Sequence, residues 1–321
     1  MHVYREDGYA ERENARYVFR GEKQRLIKKL LNKRFWVMLL RHPFFFFTYH
    51  KYESLLWLLL RASEGFSLEV NMKIISIGGS ERVGICINAL EEWLGTDNVK
   101  CDALIILPIP STRDRVKVTD TDVPLSKLVD LAMPGVKIAG YGIPVPIRDE
   151  IKKRGAEIYD AVLDEEFLCE NAKITAHGAL GRILTETGRD LSELKIGLIG
   201  YGRIGSILYE LLMFLGASVR LYSTSEKKIT ALALSGADVS SIGGAESFLG
   251  LDILINTAPK KIFTPEDEQK VLDSGTKIIE LASGKNFSSE RVTVMPSIPD
   301  RMYPLSSGRL YAKYIKKAFF D

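Results

Sequence analysis

Between Lys195 and Ser223 the chain reads KIGLIGYGRIGSILYELLMFLGASVRLYS, and no other stretch restricts its fold as tightly. An apolar strand runs into Gly200, Gly202 and Gly205 at G-x-G-x-x-G spacing, then an amphipathic helix, then a second apolar strand. Each glycine answers a steric demand. Gly200 permits a tight turn, Gly202 lets a pyrophosphate approach the backbone, and Gly205 lets helix and strand pack closely. The helix N-terminus supplies N–H groups and the positive end of its dipole to the phosphates. Glycine spacing alone is a weak signal, but strand, turn, helix and strand together are the context that a dinucleotide site requires. The residues expected at the cofactor here are Gly200, Gly202, Arg203, Ile204 and Gly205.

The end of the second strand discriminates between nucleotides. A site for NAD places Asp or Glu there to bond the ribose hydroxyls, whereas a cation accommodates a 2′-phosphate. Here RLYSTSEKK offers Ser223, Thr224, Ser225, Lys227 and Lys228, with no acid at the strand end. Hydroxyls and ammonium groups hold a phosphate that a carboxylate repels, so NADP(H) is expected over NAD(H). Two later strand ends, LDILINTAP and TKIIELAS, place Thr257, Ala258 and Pro259, and Ala282 and Ser283, where a nicotinamide and its ribose can lie against small residues.

From Met72 onward short Ile, Val and Leu runs alternate with helical patterns, which marks βαβ units and a parallel sheet. The fold expected is α/β, with two doubly wound parallel-sheet (Rossmann-like) domains joined by a connecting helix and a C-terminal helix packing back on the first domain. The domains are read as 72–188 (substrate side), 189–300 (nucleotide side) and a closing helix over 301–321. Thr175 is expected to cap the connecting helix, which sets His177 near its N-terminus. At 321 residues with 46% hydrophobic and 26% charged composition, the chain can bury two cores.

Residues 1–71 have a different texture, with 13 Lys and Arg against 8 Asp and Glu, so the remainder carries a net charge of −2. Nothing in that remainder argues for nucleic-acid binding. The run RFWVMLLRHPFFFFTYHKYESLLWLLLRA lacks the form of a signal peptide, and its charges and proline break any span of about 20 apolar residues. A surface-lying amphipathic helix is one reading of it. The other is that translation naturally starts at Met72, because LEVNM can be encoded with GGAGGT a few bases before its ATG. Cys86, Cys101 and Cys169 have neither disulfide-framework nor zinc spacing, which fits a reducing cytoplasm; no metal is expected.

In order along the chain, IGGSER, ILPIPST, NAKITAHGAL, GLIGYGRIG, DILINTAP, IIELASG and MPSIPDRMYPLSSGRLYA resemble the A subunit of dipicolinate synthase of spore-forming bacteria, over about Met72 to Phe320. The family carries Asp where Ser80 stands, Glu where His177 stands, a PGG run where SGKNF stands, and P-G-L-P-G where PSIPD stands. The resemblance implies oxidation of a dihydrodipicolinate-type precursor to dipicolinate in sporulation, with a second, flavoprotein subunit for partner. A substrate with two carboxylates needs cationic and hydroxyl donors. Arg82, Ser111 and Thr112 stand in family motifs, and Arg113, Arg182, Arg203, Lys285 and Arg301 lie in loops or helix starts that could face the cleft.

Of the four histidines, His2, His42 and His50 fall in the first segment, and His177 is the one placed for proton transfer. The catalytic set expected is therefore His177, Arg82, Ser111 and Thr112. No histidine follows position 177, which argues against the Arg, acid and His machinery of D-2-hydroxyacid dehydrogenases, an enzyme of that type with another substrate remaining an alternative. A non-catalytic protein that senses NADP(H) or scaffolds a partner is the other. Homo-oligomerisation is expected.

Overall fold

The structure, a computed structural model, describes residues 73–95, 101–284 and 286–321. The basic first segment with its three histidines, the start at Met72, and Lys285 lie outside the described residues. The first sheet contains β1 (Lys73–Ser76), β2 (Ala103–Ile106), β3 (Val136–Gly140) and β4 (Glu157–Asp160), all parallel and in that spatial order. Its helices are α1 (Glu81–Leu94), α2 (Ser126–Leu131) and α3 (Val145–Lys153). Helix α4 (Glu165–Glu186) leads into the second sheet.

That sheet is built from β5 (Lys195–Ile199), β6 (Ser218–Ser223), β7 (Val239–Ser241), β8 (Ile253–Asn256), β9 (Lys277–Glu280) and β10 (Thr293–Val294), in the order β10-β9-β8-β5-β6-β7 and parallel throughout. The order reverses between β5 and β8, and in open α/β sheets ligands bind outside the strand ends at such a reversal. Helices α5 (Arg203–Phe214), α6 (Glu226–Leu234) and α7 (Pro265–Asp273) connect the strands. Short α8 (Ile298–Met302) and then α9 (Pro304–Phe319) close the chain.

Three cores hold these layers. Val83, Cys86 and Leu90 of α1, Leu104 and Ile106 of β2, Phe167 of α4 and Tyr311, Tyr314 and Ile315 of α9 form the first, so the C-terminal helix does return to the first sheet. Ile196 and Leu198 pack with Leu208, Leu212, Ala176, Ala179 and Ile183 on one face of the second sheet. Ile199 belongs to the other face, with Tyr222, Phe248 and Phe263. Burial on both faces is why β5 reads as an unbroken apolar run.

The connecting helix departs from expectation at its start. Thr175 does not cap it; the helix begins at Glu165, where the Asp164 side chain accepts from the Phe167 N–H, and Thr175 lies buried mid-helix with its hydroxyl donating to the Asn171 carbonyl. Two acids in the first turn, Glu165 and Glu166, suit the positive end of the helix dipole. Gly178 is where α8 crosses this helix: a Cβ there would run into Ile298.

Ser297, just before α8, holds a left-handed backbone with φ 54°. A side chain in this region costs about 1–2 kcal/mol that glycine does not incur. Ser297→Gly is therefore expected to raise stability slightly, by about 0.5–1 kcal/mol after glycine's larger unfolded-state entropy is subtracted. A urea-denaturation midpoint equal to or below that of the wild type would count against it.

Candidate functional site

The glycine turn satisfies each steric requirement set out above. Gly200 has φ +93°, and a Cβ on it would sit 2.7 Å from Thr257 Oγ1. A Cβ on Gly205 would run into the Gly200 carbonyl oxygen and lie 3.0 Å from the same hydroxyl. At Gly202, the N-cap of α5, a Cβ would meet nothing within 4 Å, so backbone there is open to a ligand. Thr257 braces the turn from the neighbouring strand, its hydroxyl donating to the Ile199 carbonyl at 2.9 Å and the Gly200 carbonyl at 3.3 Å. Ile204 packs partly buried against the second core.

Arg203, the first residue of α5, does not stand free. Its Nε and Nη2 donate to the two carboxylate oxygens of Glu165 at 2.6 and 2.5 Å, tying the start of α5 to the start of α4. The pair is exposed on both sides, so its contribution to stability is small.

At the end of β6, Ser223 Oγ accepts from the Ser225 N–H, and Ser225 Oγ caps α6 by accepting from the Lys228 N–H. Both hydroxyls accept from backbone and so keep their own hydrogens for a phosphate. Thr224, Lys227 and Lys228 are exposed, and neither lysine forms an ion pair among the described residues. Glu226, an acid in the first turn of α6 that strand-end spacing does not single out, is exposed at the same corner.

Beyond β8 and β9 the two small-residue turns share one anchor. Glu280, 1% exposed, accepts from both the Asn256 side-chain amide, at 3.0 and 3.2 Å, and the Ala282 N–H, at 2.7 Å. Asn256 in turn bonds the Ala258 carbonyl and N–H. Burial raises the Glu280 carboxyl above its ordinary value, and these hydrogen bonds oppose the rise. Pro259 and Ser283 are exposed or nearly so beside this pair. An acid closing β9 and an amide closing β8 were visible in the sequence as IIE and LIN, but nothing there said they meet.

The carboxyl edge of the first sheet carries the remaining candidates. Arg82 is 3% exposed; its Nη2 donates to Asn171 Oδ1 at 3.0 Å, while its Nε has no partner among the described residues. Burial lowers its pKa to about 10, against the pull of Tyr311, Asp300, Cys86 and Tyr141, so it stays charged at neutral pH. Ser80 donates to Asp300 Oδ1 at 2.5 Å, joining the turn after β1 to α8.

Two of the catalytic candidates, Ser111 and His177, lie in surroundings other than those the spacing implied. Ser111 is wholly buried, and its hydroxyl is engaged within the loop: it donates to the Pro108 carbonyl and accepts from the Tyr141 N–H. With its proton and one lone pair engaged and no surface exposed, the hydroxyl holds the Tyr141 backbone in place. His177 is exposed in mid-helix, on the face of α4 away from α5, in a groove of about 500 Å³. Trp93, Glu170, Lys173, Arg309 and Lys313 line that groove with it, and no residue of the glycine turn does.

Thr112 is half-buried and organises its own loop, with its hydroxyl shared between the Asp114 carboxylate and the Arg115 N–H. Arg113 pairs with Asp120, and Arg182 with Glu186. Arg301 is exposed on α8. Among the described residues no helix is long and apolar enough to cross a membrane.

No protein-family model matches the sequence, and no curated protein matches it. Solved structures do. The A subunit of dipicolinate synthase from Bacillus halodurans is 18% identical, with 79% of this chain and 100% of that chain covered and a TM-score of 0.63. The corresponding dipicolinate synthase polypeptide from Bacillus subtilis is 20% identical, covering 78% of this chain and 96% of that one, with a TM-score of 0.59. At such identities the likeness is one of fold: two α/β domains, each built on a parallel sheet.

Proposed function

We propose that this chain is an NADP-dependent oxidoreductase related to the A subunit of dipicolinate synthase, which oxidises a dihydrodipicolinate-type precursor to the aromatic diacid. The observation that carries the nucleotide part is the glycine turn, where Gly200 and Gly205 are sterically obligatory and Gly202 opens onto free space. Gly200, Gly202, Ile204 and Gly205 would hold the pyrophosphate, with Arg203 released from Glu165 to assist. Ser223, Thr224, Ser225 and Lys227 would hold the 2′-phosphate. Thr257, Ala258, Pro259, Ala282 and Ser283 would face the nicotinamide.

The bound cofactor supplies a hydride acceptor. With that acceptor bound, oxidation of the precursor would require loss of one hydride from a ring carbon to the cofactor and one proton to solvent, which together give the aromatic ring. Arg82 binds a substrate carboxylate and Thr112 flanks it. His177 has no part in this reading, because its groove belongs to α1, α4 and α9. A role in sporulation and a flavoprotein partner follow from the resemblance, a cytoplasmic location from the scattered cysteines, and a homo-oligomer completes the proposal.

Titration of the purified chain with both reduced cofactors, followed by fluorescence, tests the nucleotide. NADPH is expected to bind more tightly, since Lys227 and Lys228 form no ion pair among the described residues; NADH binding at least tenfold tighter would overturn the preference. The closure of Ser111 and the displacement of His177 favour a second reading, a non-catalytic NADP(H) sensor. Absorbance of reduced nicotinamide appearing when the precursor is added to protein and NADP+ separates the two.

A further inference from the structure

Two polar atoms at the carboxyl edge of the first sheet, Arg82 Nε and the Tyr141 hydroxyl, make no hydrogen bond among the described residues. Arg82 is buried as a cation without any acid bonded to it, and its Nε is bare. Asp300 lies within its field but accepts from Ser80 through Oδ1 and forms no ion pair with Arg82. An uncompensated buried charge is unfavourable, and a guanidinium tolerates it best where a ligand anion completes the pair. Arg203 does not compete for that role in this state, because Glu165 already occupies both sides of its fork.

The second group is the Tyr141 hydroxyl. Tyr141 follows β3 directly, is half-buried, and stacks at a tilt on Phe167 with ring centroids 6.4 Å apart. Among the described residues its hydroxyl has no hydrogen-bond partner, although it lies in the fields of Arg82 and Arg203 together. The residue is held firmly. Its N–H donates to Ser111 Oγ at 2.7 Å and its carbonyl accepts from the Ser111 N–H at 2.9 Å. The two residues after it donate their N–H groups to the buried Asp160 carboxylate, at 2.7 and 3.1 Å, and Arg148 neutralises that carboxylate. Arg82 opens the helix after β1 and Tyr141 the turn after β3, at the same carboxyl edge of one parallel sheet, and a rigid loop offering a free hydroxyl on the edge that holds an uncompensated cation suits an anion.

We propose that Arg82 and Tyr141 form a carboxylate-binding subsite at the carboxyl edge of the first sheet, with the Tyr141 hydroxyl setting the orientation of the carboxylate against the guanidinium. The inference rests on the reading of this edge as the substrate side, and it assigns Tyr141 as the residue that determines specificity. Ser111, which sequence reasoning placed on the substrate, acts one step back by positioning Tyr141.

The test is calorimetric titration of the full chain, saturated with NADP+, by pyridine-2,6-dicarboxylate and by D-lactate, in the wild type and in Tyr141→Phe. The variant loses only a hydroxyl that the protein does not bond, so its thermal midpoint and its NADPH affinity are expected to match the wild type. Loss of a hydrogen bond to a charged group is expected to weaken carboxylate binding roughly tenfold or more. Equal binding of pyridine-2,6-dicarboxylate by both forms would overturn the subsite, as would a wild type that binds neither carboxylate. If D-lactate alone binds and the variant loses it, the subsite stands and the dipicolinate reading falls.

Discussion

Gly205→Ala is expected to weaken cofactor binding while leaving the chain folded but less stable. The added methyl meets the Gly200 carbonyl oxygen and Thr257 Oγ1, and both are fixed. Gly200 cannot swing away, because its φ of +93° and its contact with Thr257 define the turn. Thr257 cannot rotate without giving up its bonds to the Ile199 and Gly200 carbonyls. Backbone rather than a flexible side chain is the obstacle, so α5 must shift away from β5. Overpacking of this kind costs about 1–3 kcal/mol, partly offset by about 1 kcal/mol from alanine's better helix propensity. If the shift is resisted by the bound state to the same extent, NADPH affinity falls roughly 5- to 150-fold. Gly202→Ala supplies the contrast. Its methyl meets nothing in the protein, so stability should be unchanged while NADPH binding still falls. Unchanged NADPH affinity in Gly202→Ala would mean that no ligand approaches that backbone.

The difference between these two glycines was legible in the sequence because it is local. Strand, turn and helix occupy adjacent residues, and the steric roles follow from their spacing. The same locality made the hydroxyls of Ser223 and Ser225 visible at the end of β6. Helix α4 was harder to read. Its first half serves the first core through Phe167 and its second half serves the second core through Ala176, Ala179 and Ile183, so no single apolar stripe marks its length. Its true start was nonetheless written as Asp164 followed by two glutamates, an N-cap with acids in the first turn. Reading Thr175 as the cap moved His177 to a helix end that does not exist.

What stayed hidden depends on pairs far apart in the chain. Arg82 meets Asn171 across 89 positions, and Ser80 meets Asp300 across 220. The second pair joins two departures from the family pattern: Ser80 stands where the resemblance has Asp, and Asp300 stands where it has Gly. Read singly, each looks like the loss of a motif. Together they are one hydrogen bond that ties the turn after β1 to α8. Ser297, the other position where PSIPD replaces a glycine, keeps the left-handed backbone that a glycine would hold without strain. Tyr141 was present in the loop GYGIPVP, but its importance comes from Ser111 and Asp160 pinning the loop, which no spacing reveals.

Glu280→Ala is expected to have the largest effect on stability outside the glycine turn, and to reach the cofactor through the two strand ends that Glu280 joins. Removing the carboxylate leaves the Ala282 N–H without an acceptor, deprives Asn256 of one partner and opens a cavity at a site 1% exposed. At about 1–3 kcal/mol for each buried polar group left bare, the loss should be about 2–4 kcal/mol, read from urea denaturation. Because Ala258 and Ala282 are both positioned through Asn256 and Glu280, NADPH affinity should fall with it. Glu280→Gln separates the hydrogen bonds from the charge, since one side-chain oxygen can still accept from Asn256 and Ala282. Burial raises the folded-state carboxyl above its ordinary value of 4.5, so the protonated form is the one that folding favours. The stability that Glu280 contributes is thus fully present below that ordinary value and is lost as pH rises through the raised one. The amide does not titrate, so the variant should gain on the wild type as pH rises from about 4.5 toward neutrality. A stability difference that stays constant across that window would show that the hydrogen bonds to the carboxylate balance the cost of its burial.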